Sequence, residues 1–312
     1  MHIPNGYLTD PVCAASTAAS LAALGIGLAK LRKTNAETPH HSAAKQHSAA
    51  LMAATGAGIF AAQMLNVPIA SGTSGHLIGA ALAAVLLGPW RGMLTMTVVL
   101  CVQCFVFGDG GVTALGANVL NMAVVATLAA SAINAAVISR VAGPSGHLLA
   151  VTTAAFGSVL AAAAMCSLEL AASGHVQLLP VLSAMLGTHA LVGIGEAAIM
   201  VAALACLESG MVRGLFAQTE HSTFGGALIA ACLVAAMAPL ASQLPDGLER
   251  VAADLQFASA AGDSWSLLPE YAAPGIGWPA LAVVLAGLIG VALVSASTYW
   301  LGHTAVARVR KH

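Results

Sequence analysis

The sequence predicts an all-α polytopic transmembrane bundle of about nine spans, with the N-terminus outside and the C-terminus inside. Three observations carry that reading. Hydrophobic residues make up 59% of the 312 residues and charged residues only 7%, with a mean hydropathy of +0.88. A soluble domain carries about 25% charged residues, so this composition cannot build a water-exposed surface. The apolar runs are long enough for helices of about 20 residues, and they are rich in Ala and Gly, which suits close helix packing where lipid supplies no hydrophobic drive. Lys and Arg are also distributed with one orientation, as set out below.

Runs between charged residues place spans near 12–30, 48–66, 77–88, 92–108, 112–139, 147–171, 185–207, 224–242 and 277–301. The third is short and reads as tilted, broken or partly re-entrant. Lys30, Arg32, Lys33 and Lys45 fall in the first loop, Arg91 in the third, Arg140 in the fifth, Arg213 in the seventh, and Arg308, Arg310 and Lys311 in the tail. All of these lie on one side of a nine-span chain, and only Arg250 falls on the other, so the positive-inside rule puts the N-terminus outside. The segment 243–276, with Asp246, Glu249, Asp254, Asp263 and Glu270, is then extracytoplasmic. It separates a core of about seven spans, residues 1–223, from a two-span unit, residues 224–312.

Several function classes recede on composition. The net charge of −1 argues against a nucleic-acid partner. The six cysteines sit mostly inside apolar runs, and the lone CxxC pair, Cys101 and Cys104, lies mid-span without a second CxxC, so they read as small core residues rather than a metal or redox site. The opening MHIPNGYLTDPV has no basic region and does not read as a cleavable signal peptide. A His at position 2 disfavours removal of the initiator Met, so Met1 is expected to keep a free amine.

Met1 and His2 make a ready chelator. The amine and the His2 amide nitrogen close a five-membered ring on a metal, and that nitrogen and the His2 imidazole close a six-membered one. Three coplanar nitrogens suit Ni²⁺ or Cu²⁺, whereas Mg²⁺, Ca²⁺ and Mn²⁺ prefer oxygen. The alternative is an exposed His at a frayed terminus. A fourth nitrogen is on offer in SGTSGHLIGA, where Ser71, Gly72, Thr73, Ser74 and Gly75 precede His76 on the same outer face. The glycines permit tight backbone and the hydroxyls of Ser71, Thr73 and Ser74 suit outer-shell hydrogen bonds, the alternative being a Gly/Ser-rich turn with an incidental interfacial His.

MHIPNGYL, GTSGHLIGAALAAVLLGPW and GDGGVTALGANVLNM together resemble the substrate-binding S component of energy-coupling-factor nickel/cobalt transporters, the CbiM/NikM family. THALVGIGEAAI is similar to the same family, and PDGLE at 245–249 with a following span resembles the PDGLE-type domain fused to some members. The resemblance implies an N-terminal segment folded back into the bundle, with the Met1 amine, the His2 amide and imidazole, and the His76 imidazole as ligands to Ni²⁺ or Co²⁺ as transported substrate. It also implies partners, a transmembrane T component and a pair of cytoplasmic ATPases, and residence in the bacterial cytoplasmic membrane. The family usually carries an acidic residue where this chain has Asn5, so any anchoring there must come from hydrogen bonding alone.

Other polar residues are weighed by depth. His189 and Glu196 lie seven residues apart on one face of the seventh span, where ionisable groups need partners, and structural hydrogen bonding competes with a metal relay. Asn118 and Asn121 are candidates to order the bundle or the N-terminal segment, and Glu169 reads as solvated near a boundary. His40, His41 and His47 face the inner side and read as a loop rather than a release tract. Ala15, Ala19, Ala23 and Gly27 form a small-residue ridge suited to a sliding contact with the T component or to chance in an Ala-rich chain. Asp246 and Glu249 either concentrate cations or cap a short helix. No GxxxxGK[ST] loop occurs, so the chain cannot drive ATP-coupled uptake itself, and no HExxH supports an intramembrane metalloenzyme. The rival within transport is a stand-alone cation/proton permease, which calls for more buried acidic and His residues than His189 and Glu196. Nickel is favoured over cobalt by the planar nitrogen set, though both fit.

Overall fold

The computed structural model describes residues 1–37, 42–70, 72–208, 220–262 and 265–307. The described chain is helical apart from one small hairpin. Its elements are α1 (Asp10–Glu37), α2 (Ser42–Gln63), strands β1 (Val67–Ala70) and β2 (Thr73–Gly75), α3 (Ala80–Val102), α4 (Leu115–Asn118), α5 (Ala126–Ile138), α6 (Gly143–Ala172), α7 (Leu178–Glu208), α8 (Glu220–Ala236), α9 (Gly247–Asp254) and α10 (Pro279–Ala307). Two π-helical stretches, Gln103–Phe107 and Val119–Val125, continue α3 and join α4 to α5.

Among the described residues six helical stretches are long and apolar enough to cross a membrane: Asp10–Lys33, Ala80–Phe107, Leu115–Ile138, Gly143–Ala172, Leu178–Ala203 and Pro279–Thr304. Phe224–Leu240 is a shorter apolar helix. The chain is therefore a helical membrane protein. The third and fourth sequence runs meet inside α3, which is broken at Gly88 (φ 74°, ψ 172°) immediately before Pro89. Proline cannot donate an N–H and disfavours helical geometry in the residue before it, and glycine takes the positive φ. The second piece folds back on the first: a Cβ placed on Gly92 would lie 2.9 Å from the Ala83 carbonyl oxygen. The 80–87 piece, at 1.5 Å per residue, reaches only about 12 Å and is too short to span on its own.

One apolar core joins most elements. α6 packs along α7 and α5, α10 along α2, and α3 against α5. Met1, Ile3, Tyr7 and Leu8 belong to this core, and Ile3 is fully buried. The terminus is thus inserted, not frayed. Glu169, expected to be solvated, is only 3% exposed. It accepts hydrogen bonds from the Ser16 hydroxyl (2.6 Å) and the Asn121 side-chain amide (2.6 Å), which replace water around the carboxylate. On α1, Ala15 and Ala19 face outward while Gly27 packs against Met93 and Trp90 of α3, so the small-residue ridge is covered at one end.

Candidate metal centre

The N-terminal segment is held by hydrogen bonds to side chains and loop amides. Asn118 grips Ile3 from both sides: its Oδ1 accepts from the Ile3 amide (2.8 Å) and its Nδ2 donates to the Ile3 carbonyl (3.1 Å). The Gly111 amide also donates to that carbonyl (2.8 Å). Asn5 accepts from the Thr113 amide (3.1 Å) and hydroxyl (2.9 Å), while its carbonyl receives the Gly262 amide (2.8 Å). A side chain at Gly111 would collide with the Asn5 backbone, which explains why glycine stands there. Asn5 therefore anchors the segment through neutral hydrogen bonds.

His76 arrives on the β1–β2 hairpin, whose register pairs Val67 with Gly75 and Pro68 with Ser74. Ser74 docks that hairpin: its hydroxyl donates to the Leu244 carbonyl (2.6 Å) and its amide to the Pro245 carbonyl (2.8 Å). Thr73 is buried in β2 opposite Ala70, and Ser71 lies outside the described residues, as do His40 and His41. The His76 Nδ1 sits 2.9 Å from the Leu77 carbonyl, which can only accept, so the proton is on Nδ1 and the Nε2 lone pair is free to face a ligand. That Nε2 lies 3.2 Å from the Met1 amine, and the amine also donates to Asp246 Oδ2 at 2.6 Å.

The His2 and His76 rings stack with centroids 5.4 Å apart. His2 uses both ring nitrogens elsewhere: Nδ1 is 3.1 Å from Asp109 Oδ1 and Nε2 is 3.1 Å from Gln103 Oε1. Gln103 in turn donates to Gln63 (2.7 Å), and Gln63 donates to the Ile78 carbonyl (2.7 Å). A polar chain therefore runs from His2 back to the segment that carries His76. A small cavity beside the amine is lined by Met1, His76, His189, Val192, Asp246 and Gly247 among others. His189 donates from Nδ1 to the Met185 carbonyl (2.9 Å), and Glu196 accepts the Ile78 (2.8 Å) and Gly79 (3.1 Å) amides at the start of the 80–87 piece.

Glu196→Ala strands those two buried amides, and stability should fall by at least about 2 kcal/mol, since each unsatisfied buried donor costs about 1–3 kcal/mol. Glu196→Gln keeps an acceptor and should lose less. Thermal unfolding in detergent orders the two variants, and equal stability would refute a structural role for the carboxylate.

Among the described residues no group of three or more His, Cys, Asp and Glu side chains is gathered as a metal site. A set built on a terminal amine, a main-chain amide and imidazoles would not take that form.

A family model described as the cobalt uptake substrate-specific transmembrane region matches residues 2–213, and one for the PDGLE domain matches residues 221–306. The chain belongs to the CbiM family. A PDGLE domain is fused behind its CbiM region. It is 35% identical over 308 residues to a putative fused nickel transport protein of Archaeoglobus fulgidus, covering 95% of this chain and 96% of that protein. It is 43% identical over 129 residues to the fused nickel transport protein of Rhodobacter capsulatus, covering 41% and 34% of the two chains. A crystal structure of a truncated transition metal transporter superposes with TM-score 0.56 at 32% identity, covering 66% of this chain and 98% of that one. These relatives are named as metal transport proteins, and the chain is a multi-pass member of that transport family.

Charge around the Met1 amine is finely opposed. Burial disfavours the Met1 ammonium, but the charge and hydrogen bond of Asp246 outweigh it and raise the amine above its ordinary 8.0. Burial pushes His76 down to about 3, helped by the nearby ammonium and His2, and burial, partly offset by Asp109, lowers His2. The ammonium beside Asp246 overcomes burial and holds that carboxyl well below its usual 3.8. The signs fix a pH window. The raised amine contributes stability that is present below 8.0 and lost as pH rises through its folded value. The depressed histidines contribute stability present above 6.5 and lost on acidification toward about 3, and Asp246 adds a further loss below 3.8. The contribution of this cluster to the stability of metal-free protein should thus be largest between 6.5 and 8.0. The melting-temperature difference between wild type and a His2→Ala, His76→Ala double variant across pH checks this, and a difference that does not grow from about pH 5 to about pH 7 would contradict it.

Of the residues singled out in the sequence, the structure brings Met1, His2 and His76 together, places Asn5 and Asn118 on the terminal segment, Glu196 on the residues after His76, and His189 at the cavity. Sequence reasoning missed Gln103, Asp109 and Tyr271, and it read Asp246 as a cap without its second contact. An amide in mid-span, as Gln103 is, was the available signal.

Proposed function

We propose that this CbiM-family chain is the S component of an energy-coupling-factor transporter, capturing Ni²⁺ or Co²⁺ from the extracytoplasmic side for uptake driven by a T component and ATPase partners. The observation that carries the reading is the Met1 amine 3.2 Å from His76 Nε2, with the His2 ring stacked alongside. Adjacent corners of a planar site with metal–nitrogen bonds of about 2.0 Å lie about 2.8 Å apart, so these two nitrogens are nearly at coordination spacing. The amine, the His2 amide and imidazole, and His76 would form the square. To join it, the His2 ring must turn away from Asp109 and Gln103, which hold it in the metal-free protein. Ser74 and Thr73 support the hairpin, Asn5 and Asn118 the terminal segment, Glu196 the residues after His76, and His189 flanks the cavity.

The topology of about nine runs with the N-terminus outside, the third run being the short broken piece before Gly88, and a division at about residue 223 between metal-binding core and two-span unit, belong to the same reading. So does residence in a bacterial cytoplasmic membrane. The nitrogen set favours nickel, and relatives named for nickel and for cobalt transport both support the pair. In cells lacking the T component and ATPases, the chain alone should accumulate little metal. Uptake of radioactive nickel and cobalt with and without those partners tests this. Robust uptake by the chain alone would move the reading to a stand-alone cation/proton permease.

A further inference from the structure

We propose that the PDGLE domain positions the metal centre, with Asp246 anchoring the Met1 amine, while Tyr271, through Asp109, holds His2 in its metal-free pose. This rests on the metal-capture reading and adds the residues that set the ligands in place.

Asp246 divides its two carboxylate oxygens between two tasks. Oδ1 caps α9, accepting the Leu248 (2.7 Å) and Glu249 (2.9 Å) amides, while Glu249 reaches back to the Asp246 amide (2.9 Å). Oδ2 is left for the Met1 amine at 2.6 Å. An aspartate that only capped a helix would leave Oδ2 to water. Here the cap serves to aim it, because α9 is docked by the Ser74 contacts to Leu244 and Pro245, on the hairpin that also delivers His76. One short helix therefore registers both the amine and the imidazole. An amine bound to a metal still carries two N–H groups, so the same bond to Oδ2 persists in the loaded site, and the carboxylate offsets the cation's charge.

The other half of the chelator is held in its metal-free pose from the same domain. The Tyr271 hydroxyl donates to Asp109 Oδ2 at 2.6 Å, and the opposite oxygen of Asp109 faces His2 Nδ1 at 3.1 Å. The Tyr271 ring stacks on Phe107 with centroids 4.5 Å apart, and the chain reaches this pose through positive φ at Glu270 (53°) and Tyr271 (55°). Two successive non-glycine residues in that region are strained, and strain persists where surrounding contacts hold it.

The two oxygen tasks separate cleanly by substitution. Asp246→Asn keeps Oδ1 for the cap but turns an N–H₂ donor toward the amine, and Asp246→Ser keeps a capping oxygen and supplies nothing for the amine. Tyr271→Phe keeps the ring stack and removes the donor. Glu249→Ala weakens the cap and leaves the amine contact. Purified full-length variants are compared by nickel titration and, without metal, by the rate of N-terminal amine labelling with 2-pyridinecarboxaldehyde. Asp246→Asn and Asp246→Ser should lose about 10–100-fold in nickel affinity, the range for outer-shell partners, whereas Tyr271→Phe, which loosens a hold that His2 must leave, should not weaken nickel binding. The two Asp246 variants should also label at least about tenfold faster, because the amine, buried here, opens to solvent. Glu249→Ala, which weakens the cap but leaves the Oδ2 contact itself, should lose clearly less than either Asp246 variant in both assays. Unchanged labelling, nickel affinity unaltered by either Asp246 variant, or an equal loss in Glu249→Ala would overturn the proposal. Wild-type protein that binds no nickel would instead sink the metal-capture reading, and the anchoring would then stand or fall on labelling alone.

Discussion

Protein whose N-terminal amine is acetylated, or extended by a tag, is expected to lose nickel affinity by at least about a hundredfold, more than removal of an outer-shell partner costs, although no side chain changes. Acetylation turns the amine into an amide that has neither charge nor lone pair to offer. It also adds atoms where there is no room, since Met1 is only 4% exposed and its nitrogen lies between His76 Nε2 at 3.2 Å and Asp246 Oδ2 at 2.6 Å. A tag moves the amine away and shifts His2 off the second position, so both chelate rings are lost. A C-terminal tag should leave affinity unchanged. Affinity should also fall as pH drops, because the ammonium must release a proton for the metal and Asp246 raises its pKa above 8.0. Titrating N-acetylated, N-tagged and C-tagged protein with nickel across pH separates these effects. Equal binding by N-blocked protein would refute amine ligation and turn attention to His189, which lines the same cavity.

What could be read from sequence was whatever repeats locally or stands out by depth. Composition made the membrane bundle plain, and the shortness of the run at 77–88 left it tilted, broken or partly re-entrant, while the Gly88–Pro89 pair at which the helix breaks gives the physical reason. The chemistry of Met1–His2 was legible for a different reason: two adjacent residues supply three donors regardless of fold. Contacts between distant residues carry no such mark. Met1 and Asp246 are 245 residues apart, and Tyr271 and Asp109 are 162 apart. Asp246 was also masked by its local role, since PDGLE explains itself as a capping box with Glu249. Glu169 misled because a carboxylate near a span end usually reaches water. Its partners Ser16 and Asn121 sit 153 and 48 residues away, and only tertiary packing brings them together.

The second large effect is expected from His2→Ala and His76→Ala, each of which should abolish high-affinity metal binding while the protein still inserts and folds. The two act differently. His76→Ala removes a single imidazole and the partner that the Met1 amine faces, leaving a three-nitrogen remnant at the terminus. His2→Ala keeps the amine and the amide but breaks the six-membered ring, and it frees Asp109 and Gln103 from the imidazole they hold. Folding is protected in both because the terminus is tied independently by Asn118 on Ile3 and by Thr113 on Asn5. Calorimetric nickel titration of the purified variants, with melting temperature as the folding check, measures the loss. The nickel form of the wild type should be yellow, since a planar four-nitrogen site gives low-spin nickel, and neither variant should develop that band. Were His76→Ala to bind nickel as wild type does, the 3.2 Å approach of the two nitrogens would be a hydrogen bond of the folded terminus and nothing more. A defect confined to His2→Ala would leave a terminal chelate that takes its fourth ligand from elsewhere in the cavity, which His189 also lines.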